Sequence, residues 1–239
     1  MLSVSIIIPV YGELKYLDAC LGALEAATTI PYELILVNNS THDVHPAETG
    51  ANVVITNRFN RGFARACNQG AVLADIDSDV LLFLNVDTEP AAGWLEPLIA
   101  PLEDPFIGAT GARLVYPDGL VQHAGIEMFM YKKRELAARN IKSDEPTRDV
   151  QGVTGACIAV RRDVFEQLDG FNEDYWNGYD DVDLCLRIRA AGLRIRYVAE
   201  STVMHHESVT APEERGSKVK ENVELLQWWK QHPVTLKPA

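Results

Sequence analysis

The first ninety residues alternate between two hydrophobic periods, and this alternation constrains the fold more than any other feature. Val4 to Ile8 is a short β-branched run closed by Pro9, which is typical of a buried parallel strand. Leucines then recur at helical spacing between Leu14 and Leu24. The same reasoning predicts strands at 34–37, 53–56 and 80–84, and a helix from 63 to about 74. Repeated units of this length predict an α/β fold with a mostly parallel sheet flanked by helices.

Beyond about Pro90 the pattern becomes less regular, with turn residues spread among shorter apolar runs. The largely polar stretch from Met130 to Arg148 predicts a loop over a binding site. Strand character returns from Gln151 to Val160, and Asp163 is expected to cap a short helix. Two further helices are predicted, at 181–191 and 213–231. We therefore expect one domain over residues 1–210, divided near residue 90, followed by a helical tail at 211–239.

The composition of the chain indicates which binding partners and which cellular compartment to expect. The chain has 239 residues, is 47% hydrophobic and carries a net charge of -12, so it can bury a core but offers no basic face for nucleic acid. The four cysteines are far apart and form no C-x-x-C pair, which favours reduced core residues. The N-terminal apolar run is much shorter than the roughly 20 residues that span a bilayer. We expect a cytoplasmic protein without a transmembrane segment, and peripheral contact at the inner membrane face stays open.

One carboxylate follows a predicted buried strand. Asp87 comes just after the apolar run 80–84, at the sheet edge where α/β folds bind ligands. An ionised carboxylate there is costly without a cation or a water-filled cleft, so the position predicts a metal ligand. His205 could complete such a site as a neutral imidazole. The alternatives are a turn-forming Asp87 and a surface pair of His205 and His206.

Three carboxylates crowd the predicted start of a helix, at Asp180, Asp181 and Asp183. The helix dipole favours negative charge at that end, and one of the three could simply cap the helix. More carboxylates are present than a cap requires. The surplus predicts a general base that faces the cleft and accepts a proton from a hydroxyl group.

Taken in order, these segments resemble the family 2 glycosyltransferases, particularly rhamnosyltransferase-like members of bacterial polysaccharide assembly. Residues 4–11 and 60–70 look like the nucleotide-binding strand and the glycine-containing helix start of that family. Asn85 to Asp87 is similar to its D-x-D metal motif, and Asp180 to Leu184 is similar to its E-D-x-D-L segment. The resemblance implies a GT-A fold with a Rossmann-like sheet and a less regular acceptor-binding half. It also implies that Asp181 is the catalytic base.

The resemblance further implies an inverting glycosyltransferase that uses Mn²⁺ or Mg²⁺. It would move a sugar from a UDP- or dTDP-sugar to a hydroxyl group on a glycan, a lipid-linked acceptor or another acceptor. The metal ligands would be Asp87 and His205. The acceptor side would include Trp176, Tyr179 and Asp180. The expected nucleotide-sugar contacts are Pro9, Val10, Tyr11, Glu13, Asn38, Asn60, Gly62, Phe63, Asn68, Asn85, Val86, Asp87 and Gly155.

Three residues depart from the family pattern. Asn85 replaces the first acidic residue of D-x-D, Asp180 replaces the usual Glu, and Asn38 stands where many relatives carry an Asp. The first two departures motivate an alternative, a non-catalytic module that binds nucleotide sugars or glycans. A nicotinamide-dependent oxidoreductase is a further alternative, but residues 9–13 lack the G-x-G-x-x-G phosphate turn.

Overall fold

The computed structural model describes residues 2–12, 14–40, 42–132, 135–206 and 219–232. The helices are α1 (Leu14–Ala27), α2 (Pro46–Thr49), α3 (Phe63–Leu73), α4 (Leu95–Ile99), α5 (Arg162–Gln167), α6 (Asp180–Ala190) and α7 (Val219–Leu226), with 3-10 turns at Ala100–Glu103 and Gln227–Gln231. The strands are β1 (Val4–Val10), β2 (Glu33–Asn38), β3 (Val53–Thr56), β4 (Val80–Leu84), β5 (Thr88–Pro90), β6 (Ile107–Val115), β7 (Val121–His123), β8 (Ile126–Tyr131), β9 (Glu135–Asn140), β10 (Arg148–Val150), β11 (Cys157–Arg161) and β12 (Arg194–His205).

One ten-stranded sheet organises the described residues, in the order β10-β12-β6-β11-β4-β1-β2-β3, with β5 beside β12 and β7 beside β6. The four strands from β4 to β3 are mutually parallel. Strand β11 runs antiparallel to both β4 and β6, whereas β6 and β12 are parallel. The predicted α/β class, with a central mostly parallel sheet and flanking helices, is confirmed.

Strand β1 is buried on both faces, as its unbroken apolar run predicts. Ile7 packs with Val37 in the core on one side of the sheet, and Ile6 packs with Leu36 in the core on the other. Helix α3 approaches so closely that a Cβ at Gly70 would lie 2.4 Å from Cγ2 of Ile7. The central strands are therefore packed between helices on both faces of the sheet, and this packing fixes the positions of their carboxyl ends.

The second half contains more regular structure than its sequence predicts. Strands β8 and β9 pair as an antiparallel hairpin, and β10 pairs with β12, so the loop predicted from Met130 to Arg148 is wrong where these strands lie and holds for residues 141–147. Met128 and Leu136 are buried while Arg139 is exposed. Since one face of this hairpin meets solvent, its strands carry many polar residues and were mistaken for a loop.

Two local boundaries also differ from the prediction. The strand predicted from residue 151 begins only at Cys157, because residues 152–156 form a loop before β11. Asp163 lies inside the first turn of α5, where Arg161 is the N-cap residue, so the predicted capping role is wrong. The four cysteines are buried and free, as expected.

The C-terminal segment packs onto the domain. Leu226 and Trp229 are buried in the same core as α6, and Trp228 is 72% exposed. The predicted helical tail is thus an integral part of the domain where the structure describes it, at residues 219–232; its predicted start at 213–218 lies outside the described residues. Within the described ranges, no helix is long and apolar enough to cross a bilayer.

Candidate active site

A cavity of about 440 Å³ opens where β1 and β4 end and where α6 begins. This is the edge at which α/β sheets bind ligands. Twelve residues predicted from the sequence meet there: Pro9, Tyr11, Asn60, Gly62, Phe63, Asn85, Val86, Asp87, Gly155, Asp180, Asp181 and His205. The donor, base and metal motifs therefore share one cavity, although they are distant in sequence.

Three predicted donor contacts lie elsewhere. Val10 is only 2% exposed, because its side chain packs into the core beside α1. Asn38 is fully buried; its Oδ1 accepts from Ser40 and its Nδ2 donates to the His42 carbonyl. Asn68 binds both the amide and the carbonyl of Phe171. These three residues do not line the cavity in this structure, and their contact with a donor stays a prediction.

The remaining predictions concern Trp176 and Tyr179 on the acceptor side and Glu13 on the donor side. Trp176 and Tyr179 flank the cavity-lining residues 177 and 178 and do not line the cavity themselves. Trp176 instead packs its ring against Gly62, at 3.2 Å from the position that a Cβ there would take. Glu13 lies outside the described residues.

Five cavity residues were missed by sequence reasoning: Asn39, Thr154, Ala156, Asn177 and Gly178. Asn39 directly follows β2, and its Nδ2 donates to the Gly62 carbonyl at 3.2 Å, so its place at a strand end was a usable signal. Thr154 and Ala156 precede β11. Because β11 is antiparallel to β4, its amino end meets the carboxyl end of β4, a pairing that local periodicity does not reveal.

The predicted metal ligands are adjacent. Nε2 of His205 lies 3.3 Å from Oδ1 of Asp87, because the antiparallel pairing of β12 with β5 sets His205 opposite Thr88. Nδ1 of His205 is 2.7 Å from Oε1 of Gln122. Donation from Nδ1 to that acceptor leaves a lone pair on Nε2 toward the cavity, as in many metal-binding histidines.

The donor set fits a divalent cation held in part by its substrate. Two adjacent ligands of an octahedral ion at about 2.1 Å lie roughly 3 Å apart, close to the spacing of the two atoms above. The described residues contain no cluster of three acidic, histidine or cysteine ligands. Asp87 and His205 therefore suit an ion that takes its remaining ligands from a bound molecule or from water.

Asp181 is tethered by backbone amides at the start of α6. Gly155 donates to its Oδ2 at 2.9 Å, and the amide of Val182 donates to its Oδ1 at 2.8 Å. Burial raises the pKa of Asp181 despite these hydrogen bonds, which act in the opposite direction. The result is an oriented carboxylate at the cavity with increased proton affinity.

Asp180 is more deeply buried, at 4% exposure. Its Oδ1 accepts from the Gly178 amide at 3.1 Å, while Oδ2 has no hydrogen-bond partner among the described residues. Burial, reinforced by the neighbouring charge of Asp181, raises the pKa of Asp180 to about 7. The two carboxylates differ in their surroundings and can hold different protonation states at neutral pH.

A central, mostly parallel sheet with flanking helices and a cavity at its strand ends is the architecture of the GT-A class of glycosyltransferases. The sequence model described as "Glycosyl transferase family 2" matches residues 5–169, more than half of the chain. The chain belongs to that family. A second model, described as "N-terminal domain of galactosyltransferase", matches residues 136–208.

Curated relatives agree with this assignment. The chain is 34% identical over 226 residues to the O-antigen biosynthesis protein RfbC of Myxococcus xanthus, covering 87% of this chain and 17% of that protein. It is 29% identical over 230 residues to the N-acetylglucosaminyl-diphospho-decaprenol L-rhamnosyltransferase of Mycobacterium tuberculosis, covering 83% of this chain and 74% of that protein. The match to the first relative is therefore to a small part of a much longer protein.

A solved structure of GalNAc-T7 with UDP, GalNAc and Mn²⁺ shares the fold, with a TM-score of 0.69 and 18% identity. The alignment covers 86% of this chain and 44% of that chain. At this identity the likeness establishes the GT-A architecture.

Proposed function

We propose that this chain is an inverting, metal-dependent glycosyltransferase that moves a sugar from a UDP- or dTDP-sugar to an acceptor hydroxyl group. The observation that carries the proposal is the meeting of Asp181 with the Asp87–His205 pair in one cavity at the strand ends. A base and a site for a diphosphate-bound cation are the two chemical needs of such a transfer.

Asp87 and His205 would hold the cation, Mn²⁺ or Mg²⁺. When bound, the cation would offset the negative charge of the nucleoside diphosphate. Asn85 lines the same wall and would contact the donor as a neutral group. Three further residues that line the cavity, Pro9, Tyr11 and Asn39, would contact the nucleoside, and the ring of Tyr11 would stack on its base.

Asp181 would accept the proton of the acceptor hydroxyl. The acceptor oxygen forms a bond to the anomeric carbon as the bond from that carbon to the diphosphate oxygen breaks, and the nucleoside diphosphate leaves with its electron pair. This single displacement inverts the anomeric configuration and needs no sugar-enzyme bond. The raised pKa of Asp181 supports the role, since a stronger base accepts the proton more readily.

The activities for which the relatives are named support an acceptor in bacterial polysaccharide or glycoconjugate assembly. One relative is named for O-antigen biosynthesis, and another for transfer of rhamnose to a lipid-linked N-acetylglucosamine. We therefore propose a glycan or lipid-linked sugar hydroxyl as acceptor and a hexose or deoxyhexose as the transferred group.

The test is a donor screen followed by product analysis. Melting temperature is measured with UDP, dTDP, GDP and CDP, each with and without Mn²⁺ or Mg²⁺, because a ligand of the native state raises it. The matching sugar nucleotides are then assayed for transfer and hydrolysis, and the anomeric configuration of the product is read by NMR. Tight donor binding without turnover over a broad acceptor panel would instead support a non-catalytic binding module.

A further inference from the structure

The segment that packs behind the acceptor side of the cavity lies outside both matched family regions, which end at residues 169 and 208. It comprises α7 and the 3-10 turn that follows. From this segment, Asn222 reaches the loop before α6 and is only 3% exposed. A buried amide of this kind is retained only when its hydrogen-bonding groups are used.

Asn222 makes three hydrogen bonds to the backbone of that loop. Its Oδ1 accepts from the Trp176 amide at 3.1 Å. Its Nδ2 donates to the Trp176 carbonyl at 2.8 Å and to the Gly178 carbonyl at 3.0 Å. Residues 176–178 lie between α5 and α6, outside the strands and helices. The Asn222 side chain supplies hydrogen-bond partners for their backbone groups.

The loop held by Asn222 has an unfavourable backbone conformation. Asn177, Gly178 and Tyr179 follow one another with φ values of 49°, 136° and 66°. Two of these three residues are not glycine, so the conformation persists only if the surroundings enforce it. The hydrogen bonds from Asn222 reach Trp176 and Gly178, on either side of Asn177, and supply such enforcement there.

The same loop sets the positions of cavity groups on both sides. The Gly178 amide donates to Oδ1 of Asp180 at 3.1 Å. Oδ1 of Asn177 accepts from the Phe63 amide at 3.1 Å, which joins the loop to the start of α3. A shift of the loop would therefore move an acceptor-side carboxylate and a donor-side helix start together.

A second contact ties the C-terminal segment to α6. Nε1 of Trp229 donates to Oδ1 of Asp183 at 2.8 Å, and Arg187 binds the other oxygen of the same carboxylate. Asp183 lies in the first turn of α6, which also carries the predicted base Asp181. The C-terminal segment thus contacts both the loop at 176–179 and helix α6, which carry the acceptor-side residues of the cavity.

We propose that Asn222 is a positioning residue for acceptor binding: it holds residues 176–178 in the conformation that places Asp180 and Asn177 at the cavity. The inference rests on the proposed function. It assigns acceptor recognition in part to a C-terminal segment beyond the matched family regions.

The experiment compares Asn222→Ala and Asn222→Leu with Leu225→Ala in the full chain. Leucine branches at Cγ as asparagine does, is larger and makes no hydrogen bond, so a change shared by the Ala and Leu variants reports the lost bonds and not the empty space that alanine leaves. Leu225 is partly buried on the same helix and makes none of the three loop hydrogen bonds. Hydrogen exchange of the peptide spanning 176–181 is measured together with KM for acceptor, KM for donor and donor hydrolysis.

Both Asn222 variants should exchange faster in that peptide and raise the acceptor KM about tenfold, since small displacements of positioning groups are costly. Donor KM and donor hydrolysis should change less than the acceptor KM, because the start of α3 is also held through Gly62 by Asn39 and Asn60. Leu225→Ala should leave the peptide protected. Unchanged exchange or an unchanged acceptor KM in a folded variant overturns the inference. If the wild-type chain transfers no sugar, the proposed function fails, and exchange alone then decides whether Asn222 holds the loop.

Discussion

The amide of Gly155 donates a 2.9 Å hydrogen bond to Oδ2 of Asp181, linking the loop before β11 to the first turn of α6. Asp181→Asn should keep the hydrogen bond from Gly155, because the amide oxygen can still accept it, while losing the bond from the Val182 amide and removing the base. We expect transfer to fall by about 10²–10⁴-fold with donor affinity nearly unchanged. Single-turnover assays and donor titration calorimetry measure the two quantities. Unchanged transfer would remove Asp181 from the mechanism.

The pH dependence of transfer offers a second measurement on Asp181. The base must be ionised to accept a proton, and burial raises its pKa above the ordinary value for an aspartate. Activity should therefore decline as the pH falls through that raised pKa, and kcat/KM for the acceptor should report it. In Asp181→Asn the residual activity should lack this acidic limb. An identical profile in both proteins would assign the limb to another group.

The metal pair predicts a specific loss of donor binding. Asp87→Ala and His205→Ala should each abolish the Mn²⁺-dependent part of nucleotide-sugar affinity, as should chelation. His206→Ala is the matched control, because His206 binds Glu89 and does not line the cavity. Donor titrations with and without Mn²⁺ give the comparison. Equal affinity with and without metal in the wild type would contradict a metal site at this pair.

Some of this site could be deduced from the sequence, because it depends on local pattern. Asp87 follows an unbroken apolar strand, which places it at the sheet edge, and Asp181 belongs to an acidic cluster at a predicted helix start, which predicts a base facing the cleft. The contact between Asp87 and His205 depends instead on the pairing of β12 with β5. Those two strands are far apart in the sequence, so their pairing cannot be predicted from local hydrophobic periodicity.

The backbone conformation of the loop at 176–179 could not be predicted from local sequence either. Asn177 and Tyr179 adopt positive φ values that are uncommon for residues other than glycine, and the neighbouring backbone of Trp176 and Gly178 bonds Asn222, on a helix far along the chain. The hairpin of β8 and β9 was missed for a simpler reason, since its exposed face is polar. Alternation within a half-buried strand is weaker evidence than the continuous apolar runs of β1 and β4.

The close contact between Gly62 and Trp176 can be tested by adding one methyl group. Gly62 has φ +85°, and a Cβ there would lie 3.2 Å from the Trp176 ring. Gly62→Ala should destabilise the fold by about 1–3 kcal/mol from the backbone alone, because φ 85° with ψ 168° is a conformation almost exclusive to glycine, and should lower transfer as the ring moves. Gly22→Ala is the control, because nothing lies within 4 Å of the added Cβ in helix α1. That variant should be as stable as the wild type or more so, and chemical denaturation compares the three proteins.

Asp180 makes stability depend on pH in a definite direction. Its pKa is raised to about 7 by burial and by the charge of Asp181, whereas an unfolded aspartate titrates near 3.9. The folded state therefore binds the extra proton between these values, and this contribution to stability is lost as the pH rises toward 7. Asp180→Asn removes the titration while keeping an acceptor for the Gly178 amide.

The melting temperature of Asp180→Asn minus that of the wild type should accordingly grow from pH 4.5 to about 7 and level off above it. The total change should be on the order of a few kcal/mol in the free energy of unfolding. Asp18→Asn, which removes an exposed carboxylate on α1, controls for the change in net charge. A difference that stays constant from pH 5 to 8 would show that Asp180 titrates alike in the folded and unfolded states, and the buried carboxylate would then need a compensating charge.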